Sequence, residues 1–238
     1  STLNPSSAAS DVYTRQAYGD HNRALRYYQK IDAIDHAIGS RSLRLRYKLY
    51  MLACYISLQR IGAATELLSE CEELSILVSD KNLTGQIHLY RAKLYRLQKE
   101  YEQALLAISQ IQYATGKQHT YWLSTMVKIE TAYCLNEVGH QSLANLLLAS
   151  TGKRINEHSS PLIANRFYNA MSQVCASQGL FKEALNYEKK AFRVESDLVK
   201  HIPISELGPA QLRRLTRFEL QLKLILSEIE NKELKETT

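Results

Sequence analysis

The chain has little of what interrupts helices. Its 238 residues include nine glycines and four prolines, below the roughly 7% and 5% of ordinary usage. The prolines are Pro5, Pro161, Pro203 and Pro209, so residues 6–160 hold none. This excludes collagen-like and proline-rich chains. It also argues against an all-β fold, which needs turn residues about every ten positions. No run of about 18 apolar residues occurs, so no membrane-spanning helix is expected. The four cysteines, Cys54, Cys71, Cys134 and Cys175, stand too far apart for a CxxC metal or redox motif and read as free core thiols in a reducing cytoplasm. No histidine pair has metal-ligand spacing on one helix. The signatures GxSxG, HExxH, the P-loop and the glycine-rich dinucleotide fingerprint are all missing. The expectation is a non-enzymatic chain without cofactor or metal. What is present is a composition 45% apolar and 23% charged, enough to bury a core and too apolar for a disordered chain.

A repeat organises this material. Ala24, Ala64, Ala104, Ala144 and Ala184 follow one another at an unbroken spacing of 40 residues. Gly19, Gly139 and Gly179 keep the same phase. Leu89–Ile111 carries a small residue at Ala92, aromatics at Tyr95 and Tyr101, and apolar residues at Ala104 and Ile111. Few turn residues within such a period predict helical repeats, which cannot bury their apolar stripes alone. Gly62 joins Gly139 and Gly179 as an expected turn within a repeat, and Gly39, Gly85, Gly116 and Gly152 are expected between repeats.

The placing of small and aromatic residues around the turn, as in YGDHNRALRYYQKI and QGLFKEALNYEKKAF, resembles the tetratricopeptide repeat family. The resemblance implies an all-α fold: a right-handed α-solenoid of five helical hairpins over residues 1–200, with repeats at about 5–39, 40–80, 81–118, 119–158 and 159–200. A long C-terminal helix over 204–238 would follow. Repeats of this length resemble those of bacterial sensors and regulators, including the N-terminal sensor part of diguanylate cyclases. The implied function is a protein- or peptide-binding module, the sensory domain of a larger cytoplasmic signalling protein. A free-standing scaffold and a peptide-pheromone receptor are the alternatives. The helix-forming stretch Ser227–Glu236 at the end of the sequence fits a piece of a longer chain.

In the last segment Leu215, Phe218, Leu222, Ile225 and Ile229 are spaced 3, 4, 3 and 4 apart, an a/d seam of about two heptads. It reads either as a cap on the repeat end or as a coiled-coil connector leading to an effector domain or to a partner chain, as in a homodimer.

The resemblance also implies a groove lined by first helices. Carried onto this sequence, its polar and aromatic residues are Tyr13, Gln16, Arg46, Gln86, Lys93, Arg96, Tyr133, Asn136, Arg166, Asn169 and Gln173. Such amides can bond a peptide main chain whatever its side chains. Residues 36–65 hold Arg41, Arg44, Arg46, Lys48 and Arg60, and residues 81–99 hold Lys81, Arg91, Lys93, Arg96 and Lys99, with no acid in either stretch. This predicts a groove attracting an acidic peptide or other anionic partner. The tyrosines sit at helix-core spacings, which argues against nucleic acid.

Overall fold

The computed structural model describes residues 21–33, 35, 38–116, 120–157 and 160–199. Among them every regular element is helical and no strand occurs. The helices are α1 (His21–Asp32), α2 (Arg41–Ser57), α3 (Ile61–Ser75), α4 (Lys81–Leu97), α5 (Tyr101–Thr115), α6 (Tyr121–Glu137), α7 (Gln141–Gly152), α8 (Pro161–Ser177) and α9 (Phe181–Val199). None of the described helices is long and apolar enough to cross a membrane.

Local chemistry explains where the helices start. The residue before each of α2, α4 and α6 is a short polar one whose side chain satisfies an otherwise unpaired amide of the first turn. Ser40 accepts from the Leu43 amide at 3.3 Å. Asp80 accepts from Asn82 and Leu83 at 3.0 and 3.3 Å. Thr120 accepts from Leu123 at 3.2 Å. Before α8 the cap Ser160 makes no such bond, and Pro161 supplies a first-turn residue already fixed at a helical φ.

The exits follow one pattern as well. Gln59, Lys99, Gly139 and Gly179 all have positive φ, at 55°, 65°, 88° and 75°. After three of these turns the next amide reaches back five residues: Arg60 to the Tyr55 carbonyl at 2.9 Å, Glu100 to Tyr95 at 2.8 Å and Leu180 to Cys175 at 2.9 Å. This closing bond lets the following helix start without a side-chain cap. Glycine adopts this backbone freely, whereas Gln59 and Lys99 do so at a steric cost.

The chain divides into two units, Ser1–Val138 and Gly139–Thr238. In the first, α1 packs on α2, α2 on α3 and α4, α3 on α4, α4 on α5 and α6, and α5 on α6. Its largest core cluster draws on α1 to α4, and half-buried Trp122 packs against it. A smaller cluster joins Ala92, Ala104, Ala107 and Cys134. In the second unit α8 packs on α9, and α7 meets α8 through Gly152 beside the Phe167 ring. The amides of Asn145 and Gln178 exchange hydrogen bonds there at 3.0 and 3.1 Å. Ala24, Ala64, Ala104, Ala144 and Ala184 are fully buried. A larger side chain at such a close approach costs roughly 1–3 kcal/mol.

Three glycines depart from their expected places. Gly62 lies in the first turn of α3 and faces open space. Gly85 lies inside α4, where a Cβ would come within 2.7 Å of Leu123 Cδ2 on α6 and of Thr115 Cγ2 at the end of α5. Gly152 closes α7, with a Cβ position 2.9 Å from the Phe167 ring. The last two are contact glycines rather than connectors. The expected first helix of the first repeat, the C-terminal helix over 204–238 and the seam residues Leu215, Phe218, Leu222, Ile225 and Ile229 lie outside the described residues.

Candidate functional site: the polar faces of α2, α4 and α6

The polar side chains of the first unit form two groups of opposite character. One ties α1, α2 and α3 together. Lys48, on α2 and 6% exposed, donates to Asp32 at 2.8 Å and to Glu70 at 3.0 Å. Burial works against its charge, but the two carboxylates outweigh it and hold the ammonium above the usual lysine range. The Tyr47 hydroxyl shares its one proton between Asp32, at 2.9 Å, and Asp35. Arg44 grips Asp35 with Nε at 3.0 Å and with a terminal nitrogen, holding that carboxyl below its ordinary range. Every charge in this group has a partner on a neighbouring segment.

The second group lies on α4 and α6. Glu130 is 2% exposed, and its Oε1 accepts from Arg96 Nε. The guanidinium also lies over the Tyr133 ring, 4.9 Å from its centre. Burial opposes the charge of Arg96, and Glu130 more than offsets this, keeping the guanidinium's pKa above its ordinary value. Burial pushes the Tyr133 hydroxyl well above the tyrosine range. One turn before Arg96, Lys93 lies over the Tyr90 ring at 5.7 Å. Tyr101 donates to Glu137 at 3.5 Å, and Asn136 donates to the same carboxylate at 3.4 Å.

The expected groove residues therefore meet different fates. Arg96 and Tyr133 are brought together, with Asn136 nearby on α6 but 8% exposed. Gln86 and Lys93 are half-buried on α4. Arg46 is exposed and reaches Asp80 at 3.9 Å. In the second unit Arg166 and Gln173 are exposed on α8, and Asn169 donates to Asn165 one turn earlier at 3.0 Å. Tyr13 and Gln16 lie outside the described residues.

The folded chain supplies acids to half of the cations that led to the expectation of a groove for an anionic partner. Of the ten cations in the two acid-free stretches, Arg44, Arg46, Lys48, Arg91 and Arg96 are ion-paired. Their acids come from other elements: Asp35, Asp80, Asp32 with Glu70, Glu72, and Glu130. Glu130 was not among the expected site residues. Its only sequence signal is an acid on the apolar stripe of α6, between Ile129 and Ala132. The four cysteines are free and buried. Burial pushes the thiols of Cys54, Cys71 and Cys134 up to about 12, so at neutral pH they carry almost no reactive thiolate.

Comparison with known proteins corrects the family expected from the repeat. A family model described as the suppressor of spindle checkpoint defect 1 C-terminal domain matches residues 15–198. No curated protein and no solved structure matches the chain. The match is not to a tetratricopeptide repeat family, and nothing in it speaks for a bacterial sensor. The alanines and turn residues that carried the resemblance meet needs common to any repeated pair of packed helices, namely close approach and a left-handed exit. The chain belongs to the family of the suppressor of spindle checkpoint defect 1 C-terminal domain.

Proposed function

We propose that this chain is a protein-binding helical domain whose first unit stacks successive helix pairs as a solenoid, with α2, α4 and α6 forming its recognition layer. The observation that carries the reading is the arrangement on α4 and α6. Lys93 and Arg96 lie over tyrosine rings, and Arg96 is also held by the buried Glu130, so polar groups are ordered at a partly exposed face. Groups fixed before binding lose less freedom when a partner arrives. The family is named for a protein that suppresses a spindle checkpoint defect, and we infer that the partner of this domain belongs to the same control of chromosome segregation.

The test uses the full protein in its own cells, carrying Gln86→Ala and Lys93→Ala together. The expected outcome is a changed duration of arrest when the spindle is poisoned, at normal protein level and unaltered thermal unfolding. Normal arrest in such cells overturns the reading.

A further inference from the structure

Resting on that reading, the state of Arg96 specifies the chemistry of what the face would hold. A guanidinium has five N–H donors in a rigid fork. Arg96 spends one, Nε–H, on Glu130. Among the described residues its other four find no acceptor. Yet the side chain is 27% exposed, so those donors lie within reach of solvent. The group is also fixed in orientation, between a carboxylate that is itself buried and the Tyr133 ring. Lys48 shows the contrast. It is almost wholly buried, and its ammonium is occupied by two acids from neighbouring segments. Arg96 is held equally firmly but only partly used.

We propose that Arg96 is the anchoring donor for uncharged amide carbonyl oxygens, those of an extended main-chain segment of a partner protein laid over α4 and α6. The charge balance selects this ligand class. Glu130 already neutralises Arg96, and the exposed Glu137 stands close by, next to Tyr101. An incoming carboxylate would gain from Arg96 and lose to Glu130, which already sits on the same guanidinium. A neutral carbonyl meets the same free N–H bonds without that repulsion. Amide carbonyls are also the acceptors that recur along every extended chain.

The experiment pans a random dodecapeptide display library against the full chain, then measures binding of the enriched peptides by fluorescence anisotropy. Peptides poor in Asp and Glu are expected. Their affinity should change less than about twofold when salt is raised from low to high, because no ion pair forms with the ligand. It should fall about tenfold in Arg96→Lys, which keeps the charge but loses the planar fork. Arg96→Gln alone strands Glu130, so the second variant is Arg96→Gln with Glu130→Gln, which leaves an uncharged pair and should show the same loss. Enriched peptides that bind both variants as they bind the wild type overturn the role of Arg96 and leave the binding domain standing. Acidic peptides released by salt overturn the neutral-carbonyl class. A library that yields no binder overturns both this inference and the reading on which it rests.

Discussion

Two regions of the first unit contain the same kinds of side chain and use them differently. In the seam of α1, α2 and α3, Arg44, Lys48 and Tyr47 are matched to Asp35, Asp32 and Glu70. Across α4 and α6, Arg96 is matched to one buried acid and keeps most of its donors. The first region spends its polar groups on holding helices together. The second holds a polar group in place while leaving it able to bond. Charge type and helix position do not separate these cases. What separates them is how many partners the neighbouring helices supply.

The largest effect should come from breaking the second region. Glu130→Ala removes the buried partner of Arg96 and is expected to lower unfolding free energy by about 3 kcal/mol in urea titrations, the lower end for a broken buried pair because Arg96 touches solvent. A loss no larger than that of a surface pair would place Glu130 with the exposed acids and erase the contrast. Next is the close approach that sets α4 against α5 and α6. Gly85→Ala should destabilise by about 2 kcal/mol, because a Cβ would press on Leu123 and Thr115. Unchanged stability would mean that these two side chains yield freely. In the first region, Lys48→Met should lose only about 1 kcal/mol, since Asp32 and Glu70 are 38% and 57% exposed and water can take them over. A loss equal to that of Glu130→Ala would overturn the ranking. A gain is expected at the turn between α4 and α5. Lys99→Gly should stabilise by about 1 kcal/mol by relieving the positive φ.

The smallest effect is a pH dependence at the join of the two regions. His88 on α4 lies 3.1 Å from Arg91, which in turn holds Glu72 of α3 at 2.7 Å. Burial and then Arg91 lower the His88 pKa from 6.5, against the pull of Glu72. The unfolded chain therefore takes up this proton first as pH falls through 6.5, and the folded form loses stability down to its own lower pKa. His88→Gln should flatten the stability profile in that window by less than about 1 kcal/mol. A profile identical to that of the wild type would remove His88 as its cause.

The helical class was legible because helix breakers are scarce and the alanines recur in phase. All five of those alanines prove fully buried. The caps Ser40, Asp80 and Thr120 stand 40 residues apart as well, but only the structure shows their side chains accepting first-turn amides. Gly85 misled because a glycine inside a helix and one in a connection look alike without knowledge of what packs on them. The ion pairs of the basic stretches were illegible for a related reason. Arg96 finds its acid 34 residues later, and Lys48 finds one of its acids 22 residues later, distances that only the packing of helices brings together. The family misled because the pattern recognised was the general grammar of paired helices.

Trp122 gives these regions separate voices. It is the sole tryptophan of the chain, it is half-buried, and it packs against the core built from α1 to α4. The unit Gly139–Thr238 contains none. Emission excited at the red edge of protein absorbance therefore reports on the environment of one unit alone, while far-ultraviolet dichroism sums both. If the two signals change at different denaturant concentrations, the chain comes apart in stages, and the intrinsic fluorophore identifies which stage belongs to the half that carries Arg96 and Glu130.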